Sequence, residues 1–292
     1  MANTSKIKTV GIITKRSNVA HEKVIRKLVK YPREKKCTVV FDNNSCEFFK
    51  EEGHKKEDLL KKSDLAIVLG GDGTLLKTAR RMHRKKTLVL GVNMGTLGFL
   101  SECRPEKIFE CLDKVFKGKF EVDKRSLLRT TIYRKGEKIE TFLALNDAVI
   151  NQGAFARLIE VHLAIDSRKL VNFKADGMIV ATPTGSTAHS LSAGGPIVHP
   201  KIPSLTVSPI CPSSLSMRPI VIPDTRQLTA TIATERRDES AIIGLTIDGQ
   251  DLTVLKYGDK IKFRRSRRSL YLIRTGNRYY KMLRQKLHWG EV

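Results

Sequence analysis

The chain has 292 residues, of which 40% are hydrophobic and 29% charged, a composition that fits one large or two ordinary globular domains. Its five cysteines form no Cys-x-x-Cys pair, which argues against a disulfide framework or a zinc site and for a reducing, cytoplasmic compartment. No apolar run reaches the roughly 18 residues of a membrane span, and the run Val10–Ile13 is too short for a signal peptide.

The net charge of +24 is unusually high. Such a field attracts nucleic acid, anionic membranes or polyanionic small molecules. The basic residues are spread along the chain, with one denser run at 262–268 that alternates with apolar residues and predicts a strand with a basic outer face. Stacking aromatics or a known module would indicate nucleic-acid binding, and neither is present. We therefore expect a solvated basic surface, without a membrane or nucleic-acid partner.

The first half of the chain alternates between strand-like and helix-like segments. Strands are predicted at 9–14, 37–41, 65–69 and 87–93, and helices at 21–30, 57–62, 74–82 and 105–116. This alternation predicts an α/β domain built on a doubly wound parallel sheet.

After Gly118 the pattern changes to short strands separated by turn signals, which predicts an all-β, sandwich-like domain. Strand-like segments lie at 127–133, 138–150, 158–165, 228–232, 241–247 and 252–255. We therefore expect an α/β domain at 1–119 and a β domain at 120–274. A short helix at 279–287 is expected within a C-terminal segment, 275–292, that packs back on the first domain.

The segment Gly70-Gly71-Asp72-Gly73-Thr74 follows the strand at 65–69 and leads directly into a helix. In an open parallel sheet, ligands bind at such carboxyl ends of strands. Glycines let a substrate approach the backbone, and a helix N-terminus favours an anion such as phosphate. A carboxylate in this turn predicts that Asp72 either holds a metal or accepts a proton from a hydroxyl. The alternative is an ordinary turn with Asp72 as the helix N-cap.

Three stretches of the second half carry further polar side chains. Asn146 and Asp147 end an apolar strand, where an ordinary Asn-Asp turn is the alternative. Lys174 and Asp176 precede a buried strand, and a simple salt bridge between them is the alternative. Thr, Ser and Gly dominate 182–192, which suits hydrogen bonding to ribose and phosphate oxygens, whereas a structural loop of this kind would cost chain entropy without a gain in packing.

The Gly-Gly-Asp-Gly-Thr block resembles the signature shared by NAD kinases, diacylglycerol and sphingosine kinases, and phosphofructokinases. The Asn146-Asp147 pair, the block from Asp176-Gly177 to Pro183–Ala188, and Asp248-Gly249-Gln250 extend the resemblance over nearly the full length, and only to bacterial-type NAD kinases. A lipid kinase would show an amphipathic docking segment, and none stands out. A nucleic-acid-binding protein would not need to keep Asp72, Asn146 and Asp147 together.

The resemblance implies an NAD site between an α/β domain and a β sandwich, in a homodimer or homotetramer. It implies that ATP, or in some members polyphosphate, phosphorylates the 2′-hydroxyl of the adenosine ribose of NAD to give NADP. No dedicated cluster of metal ligands is apparent, so a divalent ion, Mg²⁺, is expected to bind through the nucleotide phosphates.

The resemblance also assigns roles residue by residue. Asp72 matches the general base, which also contacts NAD, and Gly73 matches its substrate-contacting neighbour. His189 stands where the family commonly has Tyr, which leaves less ring area for stacking on a base. The remaining implied NAD contacts are Lys77, Asn146, Asp147, Arg157, Lys174, Asp176, Thr187, Ala188, His189, Ser190, Leu191, Ser192 and Gln250.

Overall fold

A computed structural model describes residues 7–15, 22–95, 98–153, 158–233, 242–276 and 279–287. The chain divides into two compact units, one formed by Met1–Lys124 with Ser269–Val292 and the other by Arg125–Arg268. The predicted domain limits at residues 119 and 274 stay a prediction. In the part of the chain that the structure describes, no helix is long and apolar enough to cross a membrane.

The first unit begins with a parallel sheet in the order β5-β4-β1-β2-β3. Its strands are β1 (Thr9–Thr14), β2 (Thr38–Asp42), β3 (Gly53–His54), β4 (Leu65–Leu69) and β5 (Leu88–Val92). Its first four helices are α1 (Glu22–Glu34), α2 (Lys56–Lys62), α3 (Asp72–Ala79) and α4 (Ile108–Phe116), the last preceded by a 3₁₀ turn at Pro105–Lys107.

Helices cover both faces of this sheet. On one face, buried side chains of β1 and β4 share a core cluster with α1 and α4, which contribute Leu28 and Leu112 among others. On the other face, Gly11 of β1 lies against Leu59 of α2, and Gly91 of β5 against Leu75 of α3. Strands β1, β4 and β5 are buried on both faces because their residues alternate between these two layers. The predicted doubly wound parallel sheet is confirmed.

The second unit, where the structure describes it, consists of many strands with short helices. The strands are β6 (Glu121–Arg134), β7 (Glu137–Ala144), β8 (Asp147–Gln152), β9 (Ile159–Ile165), β10 (Arg168–Ala175), β11 (Gly177–Ala181), β12 (Ser204–Ile210), β13 (Ile220–Pro223), β14 (Leu228–Ile232), β15 (Ile243–Ile247), β16 (Asp251–Leu255) and β17 (Lys260–Arg274). A 3₁₀ turn at Gly185–Thr187 precedes α5 (His189–Ser192).

Two antiparallel layers enclose the core of this unit. One sheet has the order β13-β12-β11-β8-β15-β16, and in the other β10, β9, β14 and β17 are neighbours while β6 pairs with β7. Met178 and Val207 of the first layer share one apolar cluster with Leu128, Leu228 and Phe263 of the second. The predicted sandwich is confirmed, because alternate residues of each layer point into this common core.

The end of β17 belongs to the first unit, where Tyr271 and Leu272 pair in parallel with Leu88 and Val89 of β5. The chain then continues into α6 (Tyr279–Leu287), which has the bounds predicted for the C-terminal helix.

Several boundaries differ from the sequence prediction. The single strand expected at 138–150 is two strands, β7 and β8, because Leu145 and Asn146 form a turn whose N–H groups bind the carboxylate of Asp248. The helix expected at 105–116 starts with a 3₁₀ turn. The sequence signals miss β12 and β13, which contain Pro209 and Pro223, since proline lowers the strand signal of a segment.

Candidate active site

The glycine-rich turn lies where the strand order of the first unit reverses. From β1 the chain passes through α1 to β2 on one side and reaches β4 on the other side through α2. Leu69 ends β4, and α3 begins at Asp72, two residues earlier than the predicted start. In doubly wound sheets, the crevice at this reversal is the usual ligand site.

Asp72 is not the N-cap of α3. That position belongs to Gly71, and no side-chain cap bond is formed there. The alternative of a capping aspartate is therefore wrong. A Cβ at Gly70 would collide with the side chain of Thr74, so glycine is needed where the strand turns into the helix.

The carboxylate of Asp72 binds the backbone of the glycine-containing turn that follows β5. The N–H of Phe99 donates to Oδ2 at 2.8 Å, and the N–H of Leu100 donates to Oδ1 at 3.3 Å. Gly98 lies so close that a Cβ there would collide with the carboxylate. These contacts bring together the ends of β4 and β5, as expected for neighbouring parallel strands; Thr96 and Leu97 lie outside the described residues.

Opposing effects act on the pKa of Asp72. Burial raises it, while the N–H groups of Phe99, Leu100 and Ser101 and the positive charge of Arg274 lower it, and the net result is a raised pKa. A carboxylate with a raised pKa is a better proton acceptor than an exposed one. Of the two chemical roles predicted for Asp72, metal ligand and proton acceptor, the raised pKa supports the proton acceptor.

The Asn146-Asp147 turn in the second unit is held by Asp248. One oxygen of that carboxylate accepts the N–H of Leu145 at 3.0 Å, and the other accepts those of Asn146 and Asp147 at 2.8 and 3.2 Å. Asp147 is buried, and burial together with the charge of Asp248 raises the pKa of Asp147 to about 7. This acid therefore titrates near neutrality, unlike the aspartate of an ordinary surface turn.

The hydroxyl-rich segment packs onto that turn. Thr182 donates its hydroxyl to the carbonyl of Leu145 at 2.5 Å and its N–H to that of Asn146 at 2.8 Å. A Cβ at Gly185 would collide with the backbone of Asn146. This glycine therefore permits the close approach of the two backbones.

Several hydroxyls of the segment have structural partners. Ser186 donates to the carbonyl of Pro183 at 2.7 Å and accepts the N–H of Val198 at 3.0 Å, and Ser190 lies 3.1 Å from the hydroxyl of Ser208. The expectation that a structural loop of this composition gains no packing is therefore wrong. The exposed side chains are His189 and Ser192, and the half-buried ones are Thr187, Ala188 and Leu191.

The other predicted site residues lie in different surroundings. Lys174 is exposed and approaches Glu160 at 3.8 Å, while Asp176 accepts a hydrogen bond from Gln152 at 2.7 Å. The salt bridge considered between Lys174 and Asp176 is therefore not formed. The remaining positions are exposed Gly73 and Lys77, half-buried Gln250, and Arg157, which lies outside the described residues.

Sequence reasoning missed Arg274 and gave no role of its own to Gly98 or Asp248. All three act on or through the backbone of segments distant in sequence, which leaves no local motif. The sequence signals that could have indicated them are the glycine in the turn after β5 and the arginine directly after the apolar run Leu270–Ile273.

Comparisons with known proteins agree with this geometry. A family model described as the ATP-NAD kinase N-terminal domain matches residues 10–120, and one described as the ATP-NAD kinase C-terminal domain matches residues 145–275. The chain is 40% identical over 287 residues to the NAD kinase of Solibacter usitatus, covering 98% of this chain and 99% of that protein. It is 43% identical over 238 residues to the NAD kinase of Geotalea daltonii, covering 81% and 82% of the two chains.

A solved structure of yeast NADH kinase complexed with NADH superposes with a TM-score of 0.88 at 26% identity, covering 98% of this chain and 89% of that one. An NAD kinase from Archaeoglobus fulgidus in complex with ATP shares the fold, with a TM-score of 0.72 at 24% identity over 94% and 97% of the chains. Together the two family models cover most of this sequence, as does each of these relatives, and the chain belongs to the NAD kinase family.

Proposed function

We propose that this protein transfers the γ-phosphoryl group of ATP to the 2′-hydroxyl of the adenosine ribose of NAD, giving NADP and ADP. The observation that carries the proposal is the placement of Asp72. Its carboxylate lies at the carboxyl end of β4, and two backbone N–H groups hold it there. Membership of the NAD kinase family supports the choice of substrate.

Asp72 accepts the proton of the ribose hydroxyl, which is a poor nucleophile until that proton is removed. The hydroxyl oxygen forms the new bond to the γ-phosphorus, and the bond from that phosphorus to the β–γ bridging oxygen breaks. Phosphoryl transfer otherwise depends on positioning and on neutralising charge. The two N–H contacts fix the orientation of Asp72 for this purpose.

A divalent ion, Mg²⁺, is proposed to arrive with the nucleotide and to neutralise phosphate charge. In the described ranges, no group of three or more His, Cys, Asp or Glu side chains forms a metal cage. Mg²⁺ does not need one, since it keeps several waters and binds through substrate phosphates with one or two carboxylates.

We propose the exposed and half-buried residues Gly73, Lys77, Asn146, Lys174 and Asp176 as NAD contacts. Asp147, Arg157, Gln250 and the segment Thr187–Ser192 complete the proposed set. We further propose a homodimer or homotetramer in the cytoplasm; the sequence has five scattered cysteines and no Cys-x-x-Cys pair, which is typical of a reducing compartment.

The phosphoryl donor is tested by supplying ATP and polyphosphate in turn with NAD and measuring NADP. We expect ATP to support turnover. Activity with polyphosphate alone would contradict ATP as the donor while leaving the acceptor chemistry intact.

Asp72→Asn tests the proton acceptor. The amide cannot take the proton, so we expect kcat to fall by about 10²- to 10⁴-fold, the usual contribution of a general base. Asp58→Asn is the control, because Asp58 is an exposed acid on α2 of the same unit and pairs with solvent-exposed Lys61. A kcat for Asp72→Asn within a few fold of wild type, with the circular dichroism spectrum unchanged, would remove Asp72 from this role.

A further inference from the structure

The guanidinium of Arg274 binds three successive carbonyl groups behind Asp72. Nη2 donates to the carbonyl oxygen of Phe99 at 3.3 Å, and Nη1 donates to those of Leu100 and Ser101 at 3.1 and 3.4 Å. Arg274 ends β17, and only 17% of its side chain is exposed. One half-buried cation thus supports the whole backbone segment 99–101.

The same peptide groups reach Asp72 from their other side. The peptide that joins Phe99 to Leu100 gives its C=O to Arg274 and its N–H to the Oδ1 atom of Asp72. The next peptide gives the C=O of Leu100 to Arg274, and its N–H, on Ser101, is among the groups that favour the ionised form of Asp72. Peptide dipoles therefore lie between a cation and a carboxylate, an arrangement in which each hydrogen bond polarises the next.

Two carboxylates fix the cation in this position. Nε of Arg274 donates to Asp123 at 3.2 Å, and Nη1 donates to Glu102 at 3.4 Å. The other oxygen of Glu102 accepts the N–H and the hydroxyl of Thr275 at 2.8 and 2.7 Å. The planar guanidinium provides five donors in a rigid fork, which a lysine cannot reproduce.

We propose that Arg274 is the positioning residue for the proton acceptor: it holds segment 99–101 so that its N–H groups orient and polarise the carboxylate of Asp72. Arg274 binds only the far side of that segment and contacts no reacting atom. The inference rests on the proposed role of Asp72. It goes further by assigning a role to a residue that lies outside every motif of the sequence.

The competing explanation is that Arg274 forms a purely structural ion pair. The effect of its charge on the ionisation of Asp72 distinguishes the two explanations. Arg274 faces Glu102 from the loop after β5 and Asp123 from β6, and it faces Asp72 through the peptide groups of segment 99–101. A structural pair affects stability alone. A positioning residue also sets the pH at which Asp72 loses its proton and the rate of the chemical step.

Arg274→Gln removes the charge, and Arg274→Lys keeps it while losing the fork. For Arg274→Gln we expect kcat to fall by about 10- to 100-fold with the KM for NAD unchanged, since displacing a catalytic group by about 1 Å can cost about 10²-fold. The acid limb of its kcat–pH profile should move to higher pH, because a charge that lowers the pKa of Asp72 is lost. For Arg274→Lys we expect a lower kcat, with the acid limb of the kcat–pH profile at nearly the same pH as in wild type.

Arg134→Gln is the matched control. Arg134 binds buried Asp259 through Nε and Nη2 at 2.8 and 2.7 Å, within the second unit. Its loss should lower thermal stability and leave both kcat and the acid limb at wild-type values.

A titration without turnover separates this inference from the proposed function. With ¹³C-labelled aspartate, the carboxyl resonance that Asp72→Asn removes belongs to Asp72, and we expect its midpoint to move to higher pH in Arg274→Gln. If wild type forms no NADP, the proposed function fails while this titration still tests Arg274. An unchanged midpoint with unchanged kcat in folded Arg274→Gln would overturn the inference; if that variant does not fold, wild-type kcat in Arg274→Lys would overturn it.

Discussion

Gly98 shows how one missing side chain shapes the candidate site. A Cβ at this position would collide with the carboxylate of Asp72, whereas one at Gly95, in the same segment, would meet no atom within 4 Å. We therefore expect Gly98→Ala to displace Asp72 and lower kcat by about 10²-fold, the cost of roughly 1 Å of misplacement. Gly95→Ala is the control, and equal kcat values for the two variants would refute the steric explanation.

Asp147 makes stability depend on pH in a predictable direction. Its pKa is raised from 3.8 to about 7 in the folded chain, so between these values the folded state keeps a proton that the unfolded state has lost. The stability that this proton contributes is complete below the unfolded pKa and is lost as the pH rises through about 7.

Asp147→Asn is therefore expected to gain thermal stability over wild type as the pH rises from 5 to 8. The gain in Tm should widen by at least about 2–4 °C, the shift produced by about 1 kcal/mol in a protein of this size. Asp166→Asn is the control: bonds to Gln227 and Arg226 hold the pKa of Asp166 below its usual value, so its Tm difference should stay constant over this range. A constant difference for Asp147→Asn as well would exclude the raised pKa.

At the level of single residues, the sequence indicates candidate side chains for the chemistry but not what holds them in place. Asp72 is evident because a carboxylate between glycines at a strand end has few structural uses. Its N–H donors at Phe99 and Leu100 are invisible in the sequence, because any residue supplies a backbone N–H. Similarly, the hydroxyl of Ser186 appears available for a ligand until the fold brings Val198 to it.

At the level of elements, the accuracy of prediction depends on how simple the local sequence pattern is. Strand β4 and helix α6 have their predicted bounds, because a short apolar run between turn signals and an amphipathic stripe each have one simple explanation. The sequence predicts one strand where the structure has β7 and β8, because the turn at Leu145 depends on Asp248, about a hundred residues later in the chain. Strand β10 is mostly exposed, so it shows little of the apolar alternation that identifies a strand.

Strand β17 combines buried and exposed residues. Ile261, Phe263 and Ser266 point inward, while Arg264, Arg267 and Arg268 are exposed. The predicted strand with a basic outer face is thus present. Arg265, in the same run, pairs with buried Asp224 at 3.2 Å.

At the level of the whole molecule, the charge of +24 is expected to be a property of the general surface. The triple variant Arg264, Arg267 and Arg268→Gln should elute earlier from a cation-exchange column without loss of NADP formation. Its control is Lys23, Lys27 and Lys30→Gln, which removes the same charge from exposed positions of α1. Equal shifts are expected, because long-range fields depend on total charge; a larger shift for the β17 variant would identify a local polyanion-binding strand.

The position of Arg274 along the chain also sets when, during synthesis, the proposed support of segment 99–101 can form. The segment up to Lys124, which contains Asp72 and its N–H donors, leaves the ribosome first, and the whole sandwich unit is translated before Ser269. At about 5–20 residues per second, the supporting guanidinium follows many seconds later. A nascent chain therefore carries the glycine-rich turn and its N–H donors long before Arg274 can support the segment that holds the carboxylate of Asp72.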